Sequence, residues 1–329
     1  MSVTADRDPD GDFTIGPDYS PAPECAVVPG IPRGTIHAFT MESRDSKIYP
    51  GIRRLENDIT RRRDAHGNRI AAAQSEQSVA APYTRTVWVY VPAQYVKGTP
   101  APLLVVQDGH GYLNLVPRVL DNLIAAGRVP VQVAVLIDSG GGDAQGSQRG
   151  LEYDTLSGRY SDFVESEVLP RIKQECDIVF TDDPEGRATM GASSGAACAF
   201  TLAWYHSERY RRVLCYSGTF VNQQSPPDPM TPRGAWEYHA HLIQEAARKP
   251  LRIWLEVGEK DLHHDDPEET WHNWPLANRR MADALKAKGY AYRFTLSLGA
   301  RHVDPRVAEQ TLPGALEWVW RGYLSTVEA

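Results

Sequence analysis

Two kinds of hydrophobic pattern divide the chain. Up to about residue 100 the apolar positions alternate with polar ones. "GTIHAFTMES" (Gly34 to Ser43) and "TRTVWVYVPAQY" (Thr84 to Tyr95) both have the period-two signature of half-buried strands. From Pro102 onward the apolar runs become continuous and end in Asp or Gly. "PLLVVQDG" and "VQVAVLIDSGGG" are of this kind, as expected of parallel strands buried on both faces. "RRVLCYSG", "LRIWLEVG" and "AYRFTLSLG" are read as further strands. Between the strands the period lengthens to that of a helix. "PRVLDNLIAAGRVP" is read as a helix ending at Gly127. "GRYSDFVESEVLPRIKQE" carries Tyr160, Phe163, Val164, Val168 and Ile172 on one face, and "PLANRRMADALKAKG" carries Ala277, Met281, Ala284 and Leu285. A closing helix is expected in "LPGALEWVWRGYL".

Strand and helix alternate, which predicts an α/β fold around a mostly parallel sheet. The first two strands have no helix between them and are expected to pair antiparallel at one edge. Residues 1 to 32, rich in Pro, Asp and Gly, are expected to form an extended N-terminal arm. Residues 33–329 are read as a single domain with an insert at about 222–250.

Bulk properties narrow the function classes. The chain has 329 residues, is 42% hydrophobic and 23% charged, and has a formal net charge of -7. That charge argues against a nucleic-acid surface, which needs clustered Lys and Arg. The one basic cluster, Arg53 to Arg69, is interrupted by acids and has no interleaved aromatics, so it is read as a solvated loop. No run approaches the about 18 apolar residues of a membrane span. The N-terminus also lacks the apolar core of a signal peptide. The four cysteines show no metal or disulfide spacing and are expected to be free thiols in a cytoplasmic protein. A homodimer stays open, since one sequence shows no surface patch.

The candidate chemistry lies in "ATMGASSGAACAF" (Ala188 to Phe200), where Gly191-Ala192-Ser193-Ser194-Gly195 fits G-x-S-x-G between a strand and a helix. A nucleophile at the tip of such a turn brings the residues two before and two after it almost into contact, so those must be very small. Ser193 is flanked in this way by glycines and Ser194 by alanines. Ser193 is therefore favoured as nucleophile, with the Ser194 amide as an oxyanion donor. Serine chemistry needs a base and a carboxylate behind it. Asp261 stands three residues past Gly258, and His302 three past Gly299, on two matching loops after strands. Asp261 competes for its role with Glu259, Asp265 and Asp266. A second oxyanion donor is expected from "QDGHGYL", with Gly109 and His110 as candidates. Trp236, Tyr238 and Trp271 are candidate walls for an aromatic or sugar-linked substrate. His239, His241, His263, His264 and His272 lack the i, i+4 spacing of a metal motif, so neither metal nor cofactor is expected.

Taken in order, "WVYVPAQY", "LLVVQDGHGY", "LDNLIAAGRVP", "VAVLID", "RGLEYD", "YSDFVESEVLPRI", "GASSGA", "CYSGTF" and "GARHVDPRVAEQTLPGALEWVW" resemble the enterochelin-esterase-like branch of the esterase D (putative esterase) family. The resemblance spans residues 80 to 325. It implies an α/β-hydrolase fold with helices on both sheet faces and a triad carried here by Ser193, Asp261 and His302. It further implies that Arg149, Glu152 and Tyr153 lie near the active site, where they are candidate substrate contacts. The sequence departs from the family at Ala196, where Gly is frequent, and the region from Ser225 to Pro250 follows no family-wide rule. The expected reaction is hydrolysis of a small-molecule carboxylic ester or lactone (aryl, sugar or siderophore-type) through an acyl-enzyme. Acyl transfer on the same triad and an inactive hydrolase-fold binding protein are the alternatives.

Overall fold

A computed structural model describes residues 10–54, 78–141 and 146–323. Nine strands form one sheet. In chain order they are β1 (Gly11–Ile15), β2 (Thr35–Glu42), β5 (Thr84–Val91), β6 (Leu103–Gln107), β7 (Val133–Ile137), β8 (Arg187–Ala192), β9 (Arg212–Tyr216), β10 (Arg252–Gly258) and β11 (Ala291–Ser297). Two short strands, β3 (Ile52–Arg54) and β4 (Ser78–Ala80), pair separately. The order across the sheet is β1-β11-β10-β9-β8-β6-β7-β5-β2. All neighbours from β1 to β7 run parallel, whereas β5 is antiparallel to both β7 and β2. The antiparallel edge is therefore where the alternating pattern of β2 and β5 predicts it.

The continuous apolar runs are the strands covered on both faces. Every residue of β6, β7, β8 and β9 is buried. Alternate side chains feed two cores. Leu103 and Val105 point into one with α4 (Arg159–Phe163), α5 (Leu169–Cys176), α6 (Ser194–Tyr205) and α8 (Trp274–Ala287). Leu104 and Val106 point into the other with α2 (Val116–Ala125) and α9 (Pro305–Trp320). Helices thus cover both faces, as burying a two-faced parallel sheet requires. A π-helical stretch, Val164–Val168, joins α4 to α5. α8 is capped by the Asn273 side chain, which accepts from the Leu276 amide, and it stops at Gly289 in a left-handed turn (φ 74). The remaining helices are short: α1 (Gly109–Tyr112), α3 (Gln148–Tyr153) and α7 (Ile243–Glu245). α7 continues a π-helical turn at Tyr238–Leu242.

The arm differs from its expectation. Gly11–Ile15 is a strand that pairs in parallel with β11 and forms the outermost position of the sheet. Its five residues sit among Pro, Asp and Gly, so their local pattern is weak, and long-range partners hold them. The Tyr292 hydroxyl donates to Asp12 at 2.9 Å, and the Arg293 guanidinium covers the Phe13 ring at 4.2 Å. Most of the basic cluster lies outside the described residues. Cys25, Cys198 and Cys215 are buried free thiols, and Cys176 is partly buried.

Candidate active site

Ser193 stands between β8 and α6 with φ 56 and ψ -129, a region that non-glycine residues seldom adopt. The surrounding contacts fix it there. Its amide donates to the Tyr216 carbonyl at 2.9 Å, and its carbonyl accepts from the amide of Thr219 at 3.1 Å. The turn needs glycine where the sequence has it, because a Cβ on Gly191 would lie 2.3 Å from the Gly195 carbonyl oxygen. The geometry separates the two serines. Ser193 Oγ lies 2.9 Å from His302 Nε2, whereas Ser194 Oγ is buried and accepts from Gln223 Nε2 at 3.2 Å.

His302 and Asp261 come from the loops after β11 and β10, and the backbone stitches those loops together. The amide of Glu259 donates to Ser297 O at 2.8 Å and that of Lys260 to Ala300 O at 2.9 Å. A Cβ on Gly258 would lie 2.5 Å from Ala300 O, so glycine permits this approach. Asp261 is 1% exposed; its Oδ1 lies 2.6 Å from His302 Nδ1 and also accepts from the Leu262 amide at 2.6 Å. Ser193, His302 and Asp261 therefore form one continuous hydrogen-bonded row. Glu259, the first competing carboxylate, turns away to accept from the Gly299 amide, and Asp266 engages His263.

Several residues at this row were not singled out by the sequence reading. Thr219 Oγ1 lies 3.3 Å from Ser193 Oγ. Ser217, buried at the end of β9 with φ 48, accepts from the Val303 amide at 3.0 Å and so anchors the residue after His302. The Trp274 ring stands edge-on to His302 at 6.1 Å and stacks on His263 at 5.8 Å. A serine or threonine after a strand is too common in sequence to mark such roles.

The β6 loop is more constrained than its glycines imply. The His110 amide donates to Asp138 Oδ1 at 3.0 Å, which corrects its candidacy as an oxyanion donor. Gly109 opens α1, so its amide has no intrahelical acceptor. Four of the candidate substrate contacts are corrected as well. Glu152 is fully buried against Arg85, with Oε2 to Nη1 at 2.9 Å and Oε1 to Nη2 at 2.6 Å. Tyr153 is buried, and its hydroxyl accepts from the Asp108 amide at 3.2 Å. Trp236 is 1% exposed and lies under the Arg280 guanidinium. Tyr238 packs on Phe200 and Trp204, its hydroxyl 2.9 Å from Thr201 Oγ1. Aromatic spacing alone does not distinguish a pocket wall from a core. Arg149 pairs with Asp108, and Trp271 is 38% exposed. Among the described residues no group of His, Cys, Asp and Glu is arranged to hold a metal ion, and no helix is long and apolar enough to cross a membrane.

Glu256 on β10 is a buried carboxyl behind the row. Burial, reinforced by the charges of Asp261 and Asp304, raises it from its ordinary 4.5 to about 8. Over that range the folded protein keeps a proton that the unfolded chain has lost, so stability falls as pH rises from about 4.5 to about 8. Glu256→Gln is expected to flatten this slope, as read from urea midpoints across that window. An unchanged slope would show that Glu256 ionises freely in the fold.

These features define an α/β-hydrolase fold with a serine at its strand-to-helix elbow. Residues 78–302 match the model of the putative esterase family, and the chain belongs to that family. It is 29% identical over 220 residues to the iron(III) enterobactin esterase of Dickeya dadantii (strain 3937), covering 63% of this chain and 45% of that protein. The enterobactin esterase of Shigella flexneri, solved in the presence of enterobactin, has 23% identity and a TM-score of 0.55. That alignment covers 75% of this chain and 56% of the other. A ferulic acid esterase from Anaeromyces mucronatus is 14% identical with a TM-score of 0.59, covering 92% of this chain and 96% of that one. The chain thus spans about half the length of the enterobactin esterases, but nearly the whole of the ferulic acid esterase.

Proposed function

We propose that this protein is a serine-dependent carboxylic-ester hydrolase acting through an acyl-enzyme on a small-molecule ester or lactone. The observation that carries this reading is the hydrogen-bonded row Ser193–His302–Asp261 at a strained elbow. Ser193 Oγ attacks the carbonyl carbon and passes its proton to His302 Nε2. Asp261 accepts from Nδ1–H, which fixes the tautomer and stabilises the imidazolium. The amides of Ser194 and Gly109 receive the oxyanion. His302 returns the proton to the departing alcohol, leaving Ser193 acylated. Water, giving its proton to His302, then attacks the acyl carbon; the bond from that carbon to Ser193 Oγ breaks, His302 returns the proton to Oγ, and the acid leaves.

One relative is named for ferulic acid, an aromatic acid, and the Shigella flexneri enterobactin esterase has been solved in the presence of 2,3-dihydroxy-N-benzoyl-serine, which carries an aromatic acyl group, so esters bearing an aromatic group lead the substrate classes, with sugar esters and lactones beside them. The half-exposed Trp271, under the Arg233 guanidinium at 5.6 Å, is the candidate aromatic wall. The test is a panel of p-nitrophenyl, feruloyl, acetyl-sugar and lactone substrates run beside Ser193→Ala. Turnover by the parent that the variant lacks supports the reading; equal rates for the two sink it.

The Thr219 hydroxyl beside the nucleophile has a smaller expected effect. Thr219→Val keeps the shape but removes the hydrogen bond. It is expected to lower kcat about fivefold, the worth of one neutral hydrogen bond, while Thr219→Ser restores the rate. Steady-state kinetics of the two variants on one p-nitrophenyl ester check this.

A further inference from the structure

Asp108 ends β6 in the left-handed region, with φ 54. Aspartate adopts that region more readily than most residues, and three contacts hold it there. Its amide donates to the Tyr153 hydroxyl at 3.2 Å. Its carboxylate receives Arg149 through two bonds, Nε to Oδ1 at 3.1 Å and Nη2 to Oδ2 at 2.7 Å. On its other side the carboxylate meets the first turn of α6, where a Cβ on Gly195 would lie 3.2 Å from Oδ2. Asp108 is therefore wedged between a guanidinium and the helix that begins at Ser194, and it directly precedes Gly109.

This placement has an electrostatic consequence. The reaction proposed above develops negative charge at the amides of Ser194 and Gly109, so an uncompensated Asp108 carboxylate would oppose it at short range. The two-pronged Arg149 contact cancels that charge and also fixes the geometry of the turn. Both side chains are largely shielded, 15% exposed for Arg149 and 21% for Asp108, so solvent does little of the screening.

We infer that Arg149 is a positioning residue for the oxyanion: it holds Asp108 left-handed, so that the Gly109 amide faces the reacting carbonyl, and it neutralises the Asp108 carboxylate beside that site. The inference rests on the serine-hydrolase reading and assigns Arg149 no contact with substrate.

The test is a double-variant cycle on a neutral p-nitrophenyl ester, with unfolding midpoints recorded for each protein. Arg149→Ala is expected to lower kcat about 100-fold, the scale of losing one oxyanion donor, with KM changed little. Asp108→Asn combined with Arg149→Ala removes the offending charge and is expected to recover at least about tenfold of that loss. If Arg149→Ala does not fold, Arg149→Lys against Arg149→Gln reads the same quantity, with Lys about tenfold or more faster. The inference is overturned if the double variant is no faster than Arg149→Ala, if Lys and Gln are equal, or if the loss falls on KM with kcat unchanged. Failure of the parent protein to turn over any ester would instead remove the hydrolase reading beneath it.

Discussion

Ser193→Ala is expected to lower kcat by ~10,000-fold or more, with KM and the unfolding midpoint nearly unchanged. The size follows from what the side chain does: without Oγ no acyl-enzyme forms, and the oxyanion amides and substrate binding are all that remain. Stability should hold because alanine meets the same backbone demand at φ 56 and keeps the main-chain hydrogen bonds to Tyr216 and Thr219, losing only the 3.3 Å contact with the Thr219 hydroxyl and the one with His302. His302→Ala should cost a similar amount, and the two losses should not add, because the residues act as one unit. A fluorophosphonate probe gives an independent check, labelling the parent but not Ser193→Ala. Equal labelling of both would place the nucleophile elsewhere.

The second large effect concerns stability. Arg85 and Glu152 are a bidentate pair with side chains 1% and 0% exposed. Gln148 also donates to Glu152 at 2.6 Å, and the Phe163 ring lies 4.4 Å from the Arg85 guanidinium carbon. Glu152→Leu leaves a buried guanidinium without its counter-charge. The expected loss is about 3–5 kcal/mol, read as a lower urea midpoint at unchanged slope. Arg85→Met together with Glu152→Leu should recover most of it, since well-packed apolar replacements of a buried pair are often neutral or stabilising. A double variant as unstable as the single one would show that the pair itself, rather than the uncompensated charge, sets the stability.

These two sites differ in how legible they are in sequence. The elbow could be read because its requirements are local. Gly191 and Gly195 bracket Ser193 within five residues, and the continuous apolar runs before and after place the turn on a parallel sheet. Asp261 and His302 could be placed because each stands three positions past a glycine at or just beyond a strand end, Gly258 and Gly299, and the structure shows the two loops bonded to each other through the backbone. The contacts of Glu152, Tyr153 and Arg149 were not legible. Glu152 meets Arg85 67 residues away, and Tyr153 and Arg149 meet Asp108 45 and 41 residues away, so only the fold brings the groups together. Trp236 and Tyr238 illustrate the same limit, since the burial of an aromatic residue in an irregular segment depends on what packs over it. β1 is not legible because GDFTI lacks the continuous apolar run that marks the equally short β6, β7 and β9, and it is held by its neighbour rather than by its own propensity.

That neighbour also gains from the pairing. β11 carries the loop that holds His302, and without β1 its outer row of amides and carbonyls would stand open along the strand. Such a row is a template for another chain, and proteins that leave one bare tend to assemble edge to edge. By pairing with β11, a strand of seven residues, Gly11–Ile15 moves the open edge outward onto a strand of only five, and a very short edge strand is one of the devices that discourage edge-to-edge assembly. A segment whose composition resembles a mere tether thus shortens the exposed edge on the side that bears the base.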